Sequence, residues 1–268
     1  MQASAFAAIM LFFLVWLGLW LPIAIPLAIA VKWRPIQPLT PAQKLPLLAS
    51  LYAIAPIVLW GFAGWAQPPF ASYGLPWHQS VLSSLGTGLL AGLGGIAFLV
   101  GVEFVGGWVK WSLDRRKITP AVLLTPLILG LWVGITEELI FRGLLLNRLQ
   151  GELPAWLAAA IASVIFALLH LVWEGQANLP QLPGLWLMGM VLCLARWSDG
   201  GGLGLAWGLH AGWIWGIASL DATEAIVYRP DRAWLTGFNH KPLAGLMGGL
   251  FLLVTGAVLW GLRWWELT

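Results

Sequence analysis

The sequence predicts an all-α polytopic membrane protein, with about eight transmembrane helices around a polar intramembrane cavity. Three observations predict it. Of the 268 residues, 60% are hydrophobic and only 9% are charged, against about 25% charged in an ordinary soluble domain. Several apolar runs reach the roughly 20 residues that a helix needs to cross the hydrocarbon core. Tryptophan is abundant, with 20 copies, and many lie near the ends of those runs, where indoles favour the membrane–water interface.

The first apolar segment covers about 5–31. No lysine or arginine precedes Lys32, and the run is far longer than a signal-peptide core, so it reads as a retained helix. The second, about 45–66, lies between the proline-rich stretch 33–41 and Gln67-Pro68-Pro69, which a helix interior avoids. The third, about 82–109, contains Glu103, and the fourth, about 119–149, carries Glu137 and Glu138 near its middle. The fifth spans about 154–173, the short sixth about 183–197, the seventh about 201–220 and the eighth about 243–264. On the seventh, Gly204, Gly208, Gly212 and Gly216 recur every four residues. That smooth face predicts a close helix crossing. The stretch from Asp221 to Lys241 is the longest polar one and predicts an extramembrane loop or lid. The whole chain reads as one membrane domain, 1–268, with a core at about 120–220 between N-terminal helices (1–118) and a C-terminal loop and helix (221–268).

Charge excludes one class and orients another. The net charge of +3 and pI near 9.3 come from short basic loops and do not indicate nucleic-acid binding. Lys32, Arg34 and Lys44 share one loop; Lys110, Arg115, Arg116 and Lys117 share another. The positive-inside rule places both in the cytoplasm and the N-terminus outside, although Arg142 and Arg148 oppose this. The single cysteine, Cys193, cannot form an intrachain disulfide and sits in an apolar run, where packing explains it.

The glutamate pair is the feature that points to chemistry. Carboxylates in hydrocarbon cost roughly 2.5–3.5 kcal/mol each on insertion scales. Glu138 and Arg142 are four apart on one helical face, so the arginine can neutralise Glu138. Glu137 is rotated about 100° away towards Phe141 and lacks a local counter-ion, which makes it the candidate general base. Four histidines exist; His170 and His210 lie in apolar segments, where histidine usually faces a polar interior. His170 can return to the depth of Glu137 through the turn at 150–154, with Phe166 one turn before it. A carboxylate and an imidazole sharing a water form a hydrolytic nucleophile, and a second imidazole can serve the oxyanion. The sequence has no H-E-x-x-H and no G-x-S-x-G. Two histidines and a glutamate can also bind zinc, and spacing alone leaves that open.

Glu137-Glu138-x-x-x-Arg142, then Phe166-x-x-x-His170, then His210 on a later helix, resembles the CAAX protease and bacteriocin-processing (CPBP, or ABI) family. The resemblance covers about 120–220. It implies a glutamate-dependent intramembrane endopeptidase without a metal cofactor: Glu137 and His170 activating water, Glu138 and Arg142 supporting them, and His210 helping to form the oxyanion hole. The family's third motif usually places asparagine four residues after the histidine, and here that position is Ile214. Trp213, one residue away, carries an N–H that can substitute. The expected partners are the lipid bilayer and a membrane-embedded peptide or protein, and the expected location is a bacterial inner membrane or an internal membrane. The alternative is a family member of weak or no activity serving as a scaffold or chaperone for membrane proteins. A transporter using Glu103, Glu137 and Glu138 as a proton path lacks the visible repeats of such folds.

Overall fold

Each of the eight apolar runs contains a helix in the computed structural model, which describes residues 4–34, 39–63, 70–112 and 114–267, with main chain only at Pro41, Ala63 and 264–267; the end of the second run, 64–66, and Gln67-Pro68-Pro69 lie outside the described residues. The helices are α1 (Ala5–Ala30), α2 (Pro41–Ala63), α3 (Gln79–Val105) and α4 (Pro120–Glu137), which continues through a π-helical segment (Glu138–Leu145) into α5 (Leu146–Gln150). Then come α6 (Ala155–Glu174), α7 (Leu182–Ser198), α8 (Gly204–Ala222), the short α9 (Ala233–Thr236) and α10 (Leu246–Leu267). Among the described residues, six stretches are long and apolar enough to cross a membrane; α6 and α7 fall within one of them, Ala155–Ser198, and the glycine-rich α8 is not among them. The count of eight crossings is therefore not reached by length and composition. The chain is an integral membrane protein. Side chains such as Phe98 (70% exposed) and Leu90 (71%) project outward, as the hydrocarbon solvent permits.

Successive long helices run in alternate directions. At one end, the Ala5 amide donates to Glu152, Ser84 to Asp199 and Ser198 to the Leu259 carbonyl. At the other end, Gln43 donates to the Val31 carbonyl, Lys117 pairs with Glu224, and Lys44 and Lys241 both pair with Glu174. The stretch expected to be a loop or lid is tied down there. Ile226–Tyr228 forms a strand, β2, antiparallel to β1 (Val109–Trp111), with Lys110 opposite Val227. Ten of the 14 lysines and arginines lie at this end. The positive-inside rule reads it as cytoplasmic. Arg142 does not oppose that reading, because it is 1% exposed and paired inside the bundle.

The seam between α3 and α8 fixes the centre of the bundle. A methyl added at Gly208 would lie 2.7 Å from the Leu89 nitrogen and 2.8 Å from the Gly88 Cα, and one at Gly212 would lie 2.6 Å from the Leu89 carbonyl oxygen. The two backbones thus touch through glycines. His210, two residues beyond Gly208, projects from the opposite side of α8, towards α4 and α6. Tyr73, between α2 and α3, packs on Gly143; its phenol, pushed up to about 12 by burial, donates to the Leu59 carbonyl.

Candidate active site

The fourth helix carries the carboxylates into the interior of the bundle. It starts at the Thr119 cap, whose hydroxyl accepts from the Val122 amide, with Pro120 in the first turn. Eighteen residues to Glu137 correspond to about 27 Å of rise. There the helix widens into a π turn, an irregularity often found at functional sites. Every side chain from Glu138 to Leu145 is buried.

One imidazole meets both carboxylates. His210 Nδ1 lies 2.9 Å from Glu138 Oε1, and its Nε2 lies 3.6 Å from Glu137 Oε2. The carboxylate can only accept or share a proton, so the short contact places the Nδ1 proton towards Glu138 and leaves Nε2 facing Glu137. Glu137 shares a cavity lining with Phe141 while Glu138 pairs with Arg142, and Glu137 has two neighbours from other helices. The second is Tyr52 of α2, whose phenol donates to Glu137 Oε1. Glu137 Oε2 has no hydrogen-bond partner.

Glu138 is held as a structural anion. It is fully buried and accepts from Arg142 Nη1 at 3.0 Å as well as from His210. Arg142 Nη2 donates to the Gly189 carbonyl at 3.3 Å, and its guanidinium stacks 4.6 Å above the Phe166 ring. Gly189 makes this possible, because a side chain there would strike Ser163 on α6. Phe166 is wholly buried between the two histidines, with its ring centre 4.6 Å from that of His170 and 6.1 Å from that of His210.

His170 Nδ1 lies 2.8 Å from the Phe166 carbonyl. A carbonyl only accepts, so Nδ1 carries the proton and Nε2 is the basic nitrogen. His170 and Glu137 line one cavity of about 520 Å³, walled mainly by apolar side chains of α1, α2, α4 and α6 and reaching Lys44 and Glu174 at the basic end. Among the described residues, no group of three or more His, Cys, Asp or Glu is arranged to hold a metal ion.

The remaining candidates lie away from the cavity. Trp213 is 4% exposed, packs edge-to-face on Phe251 of α10 at 6.1 Å, and its indole nitrogen has no hydrogen-bond partner. Ile214 faces α4, where it abuts Gly130. Cys193 is 1% exposed in α7. Sequence reasoning missed Tyr52. Its only signal is that one of three tyrosines in the chain falls inside an apolar run.

Residues 119–216 match the family of type II CAAX prenyl endopeptidase Rce1-like proteins. This segment is similar to Rce1-like proteins. It contains both glutamates, Arg142, Phe166, His170 and His210, and it excludes Tyr52 and the α1–α2 side of the cavity. An uncharacterized 24.3 kDa protein of Escherichia coli is 30% identical over 130 residues, which cover 48% of this chain and 56% of that protein. The chain thus spans just over half the length of this curated relative. No solved structure matches.

Proposed function

We propose that the protein is an intramembrane endopeptidase that hydrolyses a peptide bond of a membrane-associated peptide or protein. The observation that carries this reading is that Glu137, which has one carboxylate oxygen without a partner, and His170 line the same cavity. A water between them would lose a proton to Glu137 as its oxygen attacks the scissile carbonyl carbon. His170 Nε2 would accept the second O–H and fix the lone pair's direction. The carbonyl oxygen becomes the oxyanion, to which His210 Nε2, 3.6 Å from Glu137 Oε2, would donate with the imidazole protonated on both nitrogens. Breaking the C–N bond returns the proton from Glu137 to the leaving amine. Apolar walls such as Trp16, Leu48, Leu51 and Val133 suit an apolar substrate segment.

The reaction is routed through protein groups alone. Purified protein in mild detergent should cleave quenched fluorescent membrane peptides, with Glu137→Gln inactive and treatment with a chelator without effect. Undiminished cleavage by Glu137→Gln would reject the mechanism, and zinc-reversible loss on chelation would reject its metal independence.

Ile214 favours a second reading, a scaffold or chaperone for membrane proteins, since it has no donor and packs on Gly130. Rescue of a deletion phenotype by Glu137→Gln would decide for that role over catalysis.

A further inference from the structure

The opposite end of the bundle holds a second recess, of about 410 Å³, where the ends of α5, α7 and α10 meet the start of α6. Its polar lining is Gln150, Arg196 and Arg263, and its apolar lining includes Trp156, Trp197 and Trp260. Arg196 is 7% exposed; its Nε donates to the Gly201 carbonyl at 3.0 Å, and its Nη1 is buried without a partner. Arg263 has its guanidinium 5.5 Å from the centre of the Trp197 ring and forms no ion pair among the described residues. No described residue lining the recess is acidic. The indoles form a wall, with Trp156 edge-on to Trp197 at 5.0 Å and tilted against Trp260 at 5.5 Å.

We propose that this recess binds the phosphate of an anionic phospholipid headgroup. Two guanidinium groups with no carboxylate among the described lining residues suit an anion, and their planar forks match phosphate oxygens. The depth selects the source. Trp156 and Trp260 are 46% and 45% exposed at the helix ends, where indoles sit at headgroup level. The acyl chains then lie along the apolar flanks of α6 and α10. The site is separate from the glutamate cavity and does not depend on the peptidase reading.

The test uses the full chain, delipidated in neutral detergent, with dioleoyl phosphatidylglycerol as the probe and its effect on the unfolding midpoint as the readout. A saturable rise is expected, with dioleoyl phosphatidylcholine giving little. Arg263→Gln, a rim substitution, should weaken the phosphatidylglycerol response about fivefold, the factor for one basic residue at a membrane surface. Arg196→Gln, if it folds, should weaken it further. Equal responses to the two lipids, or an Arg263→Gln protein that responds as the parent does, would overturn the site. An equal saturable rise with inorganic phosphate alone would overturn the lipid as its source.

Discussion

Replacing each adjacent glutamate by glutamine should separate stability from catalysis. Glu138 is fully buried and serves as counter-ion to Arg142, itself 1% exposed. Glu138→Gln leaves that guanidinium without an anion in the bundle interior. Removing one partner of a buried pair typically costs about 3–5 kcal/mol, a large share of any fold's margin. Glu137 faces the cavity, and its contact with Tyr52 needs only an acceptor oxygen, which glutamine keeps. Glu137→Gln should therefore cost about 1 kcal/mol or less while lowering turnover by roughly 10²–10⁴, the usual contribution of a general base. Reversible unfolding in mixed micelles, followed by tryptophan fluorescence, measures the first quantity. Peptide cleavage, under conditions where both variants are folded, measures the second. Equal stabilities for the two variants would refute the division of labour between the carboxylates.

Three further outcomes are expected. Gly208→Ala should be about 1–3 kcal/mol less stable than Gly94→Ala; both gain the same helix propensity, but only the first drives a methyl into the backbone of α3, while the second meets open space. Equal unfolding midpoints would show that the two helices can separate without cost. Tyr52→Phe should lower kcat by about tenfold or more through loss of a hydrogen bond to a charged group and leave the fold intact, as judged by unfolding; unchanged kcat would remove Tyr52 from the site. Trp213→Phe should retain cleavage within about twofold, because its ring packs on Phe251. A loss of 10²–10³ would instead mark the indole N–H as the oxyanion donor.

The helices were legible because an apolar run in lipid has few options: backbone groups must be satisfied within the segment. The four-residue glycine period gave the α3–α8 seam on the α8 side, whereas its counterpart, Gly88 and Gly92, carried no signal of which helix it would meet. Within the site, the i, i+4 spacing of Glu138 and Arg142 predicted their pairing, which is local. Helical geometry put Glu137 towards Phe141, with which it lines the cavity, but carried no sign of its partners from other helices. The widened π turn and the approach of His210 from α8 are tertiary effects. Tyr52 comes from 85 residues away and from a helix outside the recognised motifs. The β1–β2 pair was hidden because three-residue strands are too short for a periodic pattern.

The glycine seam leaves the protein with one stiff side and one compliant side. Where main chains abut there are no rotamers to adjust, so His210 and the wall behind it keep a fixed position. The other wall is the α1–α2 hairpin, fastened to the rest by side-chain links such as Lys44–Glu174 and Tyr52–Glu137, which can be broken and remade singly. A bulky polypeptide would therefore enter by displacing the part of that hairpin nearest the basic end, where Lys44 meets Glu174.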